Sequence, residues 1–208
     1  FLGYAAQSNL KKVTLECGGK NPAIVLEDAE DLESVAQHIV TGAFWNLGQN
    51  CSAVSRLIVH EKIKEELVTK LKAQINDWRQ GDPLNPSNRL GVPVDASHGA
   101  KIQSYLDQAR DSKLAVLAGS LDGPNCPVIL DVPQFNSPLA AEEIFGPVLV
   151  VHTVKTLDEA VQLANDTPFG LTAAVFSGNI KKAVRAARAI KAGTVTVNSY
   201  GEGDITTP

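Results

Sequence analysis

Residues 32–60 have the sequence LESVAQHIVTGAFWNLGQNCSAVSRLIVH, which places one thiol between two segments of regular pattern. Before the thiol, apolar residues recur at three- and four-residue steps, which predicts a helix with one buried face, ended by Gly48. After the thiol, Arg56–His60 is a β-branched and apolar run typical of a buried strand. Cys51 is therefore predicted to lie on a polar loop, Gly48–Ala53, that leads into a strand. Loops held by such a scaffold often carry functional groups.

Strand and helix patterns alternate along the rest of the chain. Further strands are predicted at residues 13–15, 23–26, 114–117, 128–130, 148–154, 173–176 and 194–197, and further helices at residues 63–78, 98–109, 157–164 and 180–190. The span 133–147 is predicted to be rich in loops. This alternation is typical of the α/β class and predicts a mainly parallel sheet with helices on both faces.

Composition excludes several kinds of partner. The chain has 208 residues, 44% of them hydrophobic, and a formal net charge of −4. That charge gives no electrostatic reason to expect nucleic-acid or anionic-membrane binding. Apolar runs such as Val148–Val151 are far shorter than the roughly 18 residues that cross a bilayer. No secretory signal is visible.

The cysteines and histidines predict reduced thiols and no metal. Cys17, Cys51 and Cys126 form no CxxC pair, and any pairing leaves one unmatched. Because reduced thiols are typical of the cytosol, we expect a cytoplasmic protein. The four histidines are scattered, with no two at metal-ligand spacing, so we expect no metal site.

A second feature changes the interpretation of Cys51, because a free cysteine alone is usually a small buried apolar residue. In Val13–Lys20 (VTLECGGK), residues that favour strands lead to Glu16, and two glycines follow. The glycines allow a sharp turn and a close approach of the backbone to another group. A carboxylate at a strand end is often only solvated, but beside a loop thiol it can serve as a general base.

Three ordered motifs carry a resemblance to a known family. They are Leu15–Lys20 (LECGGK), Gly48–Cys51 (GQNC) and Glu142–Pro147 (EEIFGP). In this order and at these separations they resemble the signatures of the aldehyde dehydrogenase superfamily. The similarity runs nearly end to end and includes Phe169–Leu171 and Ala192–Asn198. The fold expected from the resemblance is the aldehyde dehydrogenase catalytic-domain type.

Two departures from the family pattern are visible. Cys17 stands where family members usually have leucine. The separation of the two expected catalytic residues, 51 − 16 = 35, is one longer than is often found. Neither departure changes a reacting group.

The resemblance implies an oxidation of an aldehyde to a carboxylic acid with NAD or NADP. Cys51 would attack the aldehyde carbon to give a thiohemiacetal, and loss of hydride to the nicotinamide would leave a thioester on the sulfur. Glu16 would then activate the water that releases the acid. Because an ordinary carboxylate is a weak base, we expect Glu16 to be buried in a cleft facing Cys51.

The third motif would contact the cofactor. By resemblance, the Glu143 carboxylate accepts hydrogen bonds from the nicotinamide ribose, and the Phe145 ring packs beside the nicotinamide. Without the resemblance, Glu143 could cap a local group and Phe145 could be a core aromatic residue.

Four residues are candidates for the aldehyde channel: Trp45, Tyr200, Glu202 and Asp204. Family members place an aromatic residue at the first position and variable residues in the last loop. Residues 200–204 (YGEGD) resemble the γ-glutamyl-γ-aminobutyraldehyde dehydrogenase-like branch, which acts on γ-glutamylamino- or amino-aldehydes. An acidic mouth would attract a cationic substrate, although exposed loop acids are usually only solvated.

We expect the chain to be a fragment of a longer polypeptide. It contains no methionine, and no phosphate-binding glycine loop is found. Residues 1–19 would be the terminal piece of the cofactor-binding domain, and residues 20–208 the catalytic domain, truncated before its C-terminal segment. By resemblance, an asparagine upstream of Phe1 would supply one of two donors to the oxyanion. The isolated fragment is expected to lack full activity, and the full-length protein to be a homodimer or homotetramer.

Two alternatives remain from the residues themselves. One is a cysteine-dependent acyl transfer or hydrolysis without a redox cofactor, which would want a histidine beside Cys51 that the sequence does not place there. The other is a folded binding or structural module.

Overall fold

The computed structural model describes residues 1–7, 9 and 11–201, and within them seven strands form one sheet. Its spatial order is β3-β4-β5-β2-β1-β6-β7, and every neighbouring pair is parallel except β3 with β4. The strands are β1 Asn21–Val25, β2 Val54–His60, β3 Ala115–Gly119, β4 Val128–Asp131, β5 Val148–Val154, β6 Thr172–Phe176 and β7 Thr194–Val197. The prediction of a mainly parallel sheet is confirmed.

The helices connect these strands and cover them. They are α1 Leu2–Gln7, α2 Leu32–Phe44, α3 Lys64–Ile75, α4 Ala96–Asp111, α5 Pro138–Ala141, α6 Leu157–Asn165 and α7 Ile180–Ala189. The short helix α5 lies inside the span predicted to be rich in loops. Asp31, Asp95, Thr156 and Asn179 cap the amino ends of α2, α4, α6 and α7 with their side-chain oxygens.

Helices lie on both faces because side chains alternate along each strand. In β1, Ala23 and Val25 join the core formed with α2 and α3, whereas Ile24 faces the core of α6 and α7. In β5, Val148 and Val150 pack towards α4. This alternation buries both faces of the central strands, as a parallel sheet requires.

Two local predictions are wrong. Residues 13–15 are exposed and belong to no strand of the described structure, because strand-favouring residues need a neighbouring strand to pair with. The α2 helix ends at Phe44 rather than at Gly48, and a 3-10 turn spans Trp45–Gly48. Three consecutive residues of that turn, Asn46, Leu47 and Gly48, have φ angles of 52°, 59° and 68°.

The sheet places the three motifs at the amino ends of its parallel strands, which we call the amino edge of the sheet. Asn21 is in register with Val54, Ala23 with Ala174, and Arg56 with Val150. Because these strands are parallel, the segments that precede β1, β2 and β5 all meet at the amino ends of the strands. Those segments are the ones that carry Glu16, Cys51 and Glu143.

No helix among the described residues is long and apolar enough to span a membrane. The same residues contain no group of three or more histidine, cysteine, aspartate or glutamate side chains arranged to hold a metal ion.

Candidate active site

Cys51 lies in a tight turn just before β2 and is partly exposed. The turn is organised by the preceding side chain: Asn50 Oδ1 accepts hydrogen bonds from Ser52 N at 3.1 Å and from Ser52 Oγ at 3.0 Å. The Cys51 thiol points at the same oxygen, with Sγ 3.8 Å from Asn50 Oδ1. The sulfur therefore sits on a loop whose backbone is fixed, and it remains reachable from outside.

A second asparagine holds the other side of this turn. Asn21, the first residue of β1 and 3% exposed, donates from Nδ2 to Cys51 O at 2.8 Å and to Ala53 O at 2.9 Å. Its Oδ1 accepts from Thr172 N at 3.2 Å. The start of β1 thus ties the Cys51 turn to β6.

The two glycines of the first motif make room for the third motif. Gly19 N donates to Glu143 Oε1 at 2.9 Å. A Cβ placed on Gly18 would lie 2.4 Å from Glu143 Oε2, and one on Gly19 would lie 2.8 Å from Cys51 O. Neither residue can carry a side chain without displacing these neighbours, so the paired glycines bring Glu143 and Cys51 against the same short segment.

Glu16 lies two residues before this contact, and the structure does not bury it. Residues 11–17 are all exposed. The expectation of a buried Glu16 is therefore wrong for the described structure, because no element of it covers the segment that leads into Gly18.

Helix α4 supports the third motif. The sequence did not predict this contact. His98 donates from Nε2 to Phe145 O at 2.7 Å, and the two rings meet edge to face with centroids 5.8 Å apart. Lys101 Nζ donates to Glu143 O at 3.0 Å. Phe145 takes a φ of 59°, a strained value for a residue with a side chain. The three-residue spacing of His98 and Lys101 places both on one face of α4, but the spacing does not say what that face contacts.

Of the four predicted channel residues, one packs against the site, one is exposed and two lie outside the described residues. The Tyr200 hydroxyl donates to Ser52 O. The Tyr200 ring lies against Gly42, and a Cβ placed on Gly42 would lie 2.6 Å from that ring. Tyr200 therefore packs beside the Cys51 turn. Trp45 is 58% exposed. Glu202 and Asp204 lie outside the described residues.

The residue that follows the paired glycines is a buried lysine. Lys20 is 1% exposed, and its Nζ has no hydrogen-bond partner among the described residues. Burial, reinforced by the nearby Arg56 guanidinium, lowers the pKa of Lys20 to about 7, against the opposing pull of Glu143 and Glu142. The amine can therefore gain or lose a proton close to neutral pH.

Arg56 is also buried but is fully engaged. It donates from Nε to Lys20 O at 2.8 Å, from Nη1 to Leu163 O at 2.9 Å and from Nη2 to Ala164 O at 2.8 Å. These bonds satisfy carbonyls at the end of α6 and fix the segment after the paired glycines. Burial lowers the pKa of Arg56 to about 10.

Two concavities are relevant to where a ligand could lie. A small one at the amino edge is lined by Gly19, Gly48, Asn50, Glu143 and Phe145, among others. A cavity of about 620 Å³ between β5 and α6 contains none of the predicted site residues. The smaller concavity is lined by the Glu143 carboxylate and by Asn50, the residue before Cys51.

The residues at this edge fit the ribose and nicotinamide end of a dinucleotide. Glu143 is partly exposed, and the absence of side chains at Gly18 and Gly19 leaves the backbone open beside it. Phe145 offers a partly exposed aromatic ring next to that carboxylate.

The chain is similar to known proteins over its whole length. The family model described as "Aldehyde dehydrogenase family" matches residues 2–208. The aminoacetaldehyde dehydrogenase of Pseudomonas aeruginosa is 54% identical over 211 residues, covering 100% of this chain and 42% of that protein. The chain thus spans less than half the length of this relative.

Solved structures share the fold. An indole-3-acetaldehyde dehydrogenase in complex with NAD+ matches with a TM-score of 0.89 and 40% identity, over 100% of this chain and 43% of that one. A γ-glutamyl-γ-aminobutyraldehyde dehydrogenase from Burkholderia cenocepacia matches with a TM-score of 0.86 and 41% identity, over 97% of this chain and 42% of that one. With the family model matching nearly every residue, this chain belongs to the aldehyde dehydrogenase family.

Proposed function

We propose that the protein containing this chain oxidises aldehydes to carboxylic acids with NAD or NADP, and that Cys51 is its nucleophile. The observation that carries the proposal is the contact of three motifs around two glycines. Glu143 Oε1 accepts from Gly19 N at 2.9 Å, and the Gly19 backbone packs against the carbonyl of Cys51. Because the Cys51 turn and the Glu143 carboxylate both contact Gly19, a substrate bound to the thiol and a cofactor held by Glu143 would lie at one site.

The first step is attack of the Cys51 sulfur on the aldehyde carbon. A C–S bond forms, and the carbonyl π electrons move to oxygen, which gives an alkoxide. Backbone N–H groups near the sulfur are the natural donors to that oxygen, and losing one such donor typically costs about a hundredfold to a thousandfold in turnover. Asn50 and Asn21 hold the turn so that the backbone does not have to reorganise.

The bound nicotinamide ring supplies a two-electron acceptor for the hydrogen on the former carbonyl carbon. Glu143 would hold the ribose and Phe145 would pack beside the ring, so these two side chains would orient the cofactor. When the carbon loses that hydrogen with its electron pair, the alkoxide becomes a carbonyl again and Cys51 carries a thioester.

Hydrolysis then releases the acid. Glu16 takes a proton from water as the water oxygen attacks the thioester carbon, and the C–S bond breaks to return the Cys51 thiolate. Glu16 lies in the exposed segment that leads into Gly18, and the next residue, Gly19, contacts Glu143.

We further propose the domain division and the substrate class. Residues 1–19 would end the cofactor-binding domain and residues 20–208 form the catalytic domain, which is supported by the sheet that starts at Asn21. The substrate is a small aldehyde, and an amino-aldehyde is favoured by the relative named aminoacetaldehyde dehydrogenase. Tyr200 beside the Cys51 turn would contact it, with Trp45, Glu202 and Asp204 at the channel mouth.

The free cysteines bear on the cellular setting. We propose a cytoplasmic enzyme, consistent with three free cysteines. We also propose that the full-length protein forms a homodimer or homotetramer.

The deciding experiment replaces Cys51 by serine in the full-length protein and measures aldehyde-dependent NADH or NADPH formation. The expected result is a loss of at least about a thousandfold in kcat, because the nucleophile is removed. Cys126→Ser is the matched control, since Cys126 is another partly exposed free thiol outside the site. Unchanged turnover in Cys51→Ser would contradict the proposal. Ester hydrolysis that requires Cys51 and ignores the cofactor would instead favour acyl transfer without redox chemistry.

A further inference from the structure

We propose that Asn21 is a positioning residue for Cys51, which deepens the proposed function and rests on it. The side chain belongs to β1, whereas the thiol belongs to the turn before β2, 30 residues away. Its single amide bridges two carbonyls of that turn, Cys51 O at 2.8 Å and Ala53 O at 2.9 Å.

The peptide group that follows Cys51 is held at both of its ends. Its oxygen, Cys51 O, accepts from Asn21 Nδ2, and its N–H, Ser52 N, donates to Asn50 Oδ1 at 3.1 Å. A peptide plane fixed at oxygen and at nitrogen cannot rotate about the Cys51 Cα–C bond. Two asparagines therefore set the backbone conformation from which the sulfur projects.

The orientation of the Asn21 amide follows from its partners. Thr172 N donates to Oδ1 at 3.2 Å, so the oxygen faces β6 and the NH₂ group faces the turn. The reversed orientation would set an oxygen against two carbonyl oxygens and an NH₂ against an N–H. Because Asn21 is 3% exposed, water cannot readily replace any of these bonds.

This clamp bears on reaction geometry as well as on stability. Among the described residues, the hydrogen bonds of Asn21 go to Cys51 O, Ala53 O and Thr172 N rather than to the cofactor motif. Misplacing a reacting group by about 1 Å can cost about a hundredfold in rate. A loosened turn should therefore slow attack on the aldehyde and leave cofactor affinity nearly unchanged.

The test uses Asn21→Ala and Asn21→Ser in the full-length protein, with Asn165→Ala as control. Asn165 is matched because it also bridges two backbone groups, donating to Ala189 O at 2.9 Å and accepting from Lys191 N at 2.8 Å. We expect Asn21→Ala to lower kcat about tenfold to a hundredfold with a less than threefold change in the KM for cofactor. Asn21→Ser, which keeps one short donor, should recover part of the loss.

Hydrogen exchange gives a readout that does not depend on activity. In Asn21→Ala, amides of the segment 49–54 should exchange at least about tenfold faster, while those of β5 stay as in the parent. Exchange unchanged at 49–54, or an equal rise throughout the sheet, would overturn the proposal. A kcat within threefold of the parent would also overturn it. A parent protein without aldehyde turnover would refute the proposed function alone, because the exchange experiment would still decide the role of Asn21.

Discussion

The carboxyl and amino ends of the parallel strands, which we call the carboxyl and amino edges of the sheet, carry different kinds of polar contact. At the carboxyl ends, charged side chains pair with one another: Lys182 Nζ lies 2.6 Å from Glu27 Oε1 and 3.0 Å from Asp28 Oδ2, and Ser177 Oγ donates to Asp28 at 2.8 Å. At the amino ends, neutral amides and backbone groups hold the turns, and the ammonium group of Lys20 is buried without a hydrogen-bond partner among the described residues.

This difference indicates why the candidate site lies where it does. Open α/β sheets usually bind ligands outside the carboxyl ends of their strands. Here the polar groups at the carboxyl ends already satisfy each other, whereas the amino ends present a thiol, a carboxylate and a bare glycine backbone. The candidate site therefore lies at the end of the strands where the Cys51 turn and the partly exposed Glu143 carboxylate both contact the Gly19 backbone.

In the comparison of the two edges, the largest expected effect comes from adding one methyl group at each. A Cβ on Gly19 would lie 2.5 Å from Asn21 Oδ1 and 2.8 Å from Cys51 O, so Gly19→Ala should disturb the nucleophile and lower kcat/KM at least about a hundredfold. A Cβ on Gly178 would lie 2.5 Å from Asp28 O at the carboxyl edge. Gly178→Ala should cost about 1–3 kcal/mol of unfolding free energy and leave kcat nearly unchanged.

Steady-state kinetics of both variants measures kcat and kcat/KM, and urea unfolding measures the unfolding free energy. Equal losses of kcat/KM in Gly19→Ala and Gly178→Ala would show that the two edges do not differ in function.

The second effect concerns the charge buried at the amino edge. The pKa of Lys20 is lowered to about 7 in the folded protein, whereas the unfolded chain keeps the ordinary value of 10.5. Below about pH 7 both states bind the proton, and folding must bury the charge. Between about pH 7 and 10.5 only the unfolded state keeps the proton, so this group makes the protein more stable as the pH rises, by up to about 1.4 kcal/mol per pH unit.

Replacing Lys20 by methionine should therefore stabilise the protein most at pH 6, and the advantage should shrink by pH 9. Urea unfolding of the variant and the parent at both pH values gives the difference. The hydrogen bond from Arg56 Nε to Lys20 O uses the backbone and survives the substitution. A difference independent of pH would mean that Lys20 does not titrate in this range.

The third effect concerns the carboxylate that touches Gly19. Glu143→Gln keeps an oxygen for Gly19 N but removes the charge, and hydrogen bonds to charged groups are stronger than neutral ones by about 1 kcal/mol. Under the proposed function, the Kd for NAD+ should rise about fivefold to tenfold, as measured by fluorescence titration. Glu142→Gln is the matched control, because that carboxylate accepts from the Tyr105 hydroxyl at 2.6 Å instead. An equal weakening in both variants would show a general effect of loop charge.

The sheet was largely predictable because its strands combine two local signals, namely a run of strand-favouring residues and turn-forming residues at the ends of that run. Strands β5 and β7 begin and end at the predicted residues, since their apolar runs are bounded by turn-forming residues. The strand predicted at 13–15 fails for a reason that no local pattern contains, namely that no neighbouring strand pairs with it in the described structure.

The sequence motifs named candidate reacting groups, but they did not predict the contacts that support them. The motif sequences pointed to Cys51 and Glu143, but the hydrogen bond from Thr172 N to Asn21 joins residues 151 positions apart. The contact of His98 with Phe145 likewise spans 47 positions. Such contacts depend on the completed sheet, so sequence pattern alone could not supply them.

The smallest expected effect comes from the ion pair at the carboxyl edge. A hydrogen bond from Lys182 is the main cause that holds the pKa of Glu27 below its ordinary value of 4.5. A carboxylate of this kind contributes stability above its unfolded value, and the contribution is lost as the pH falls through the folded value. Because the Glu27 side chain is 32% exposed, solvent screens the pair, and Glu27→Gln should cost less than about 1 kcal/mol at pH 7. Urea unfolding should show that difference at pH 7 and a smaller one as the pH is lowered below about 4.5, with kcat unchanged. A loss of kcat in Glu27→Gln would mean that the carboxyl edge takes part in the reaction, which would remove the contrast between the two edges.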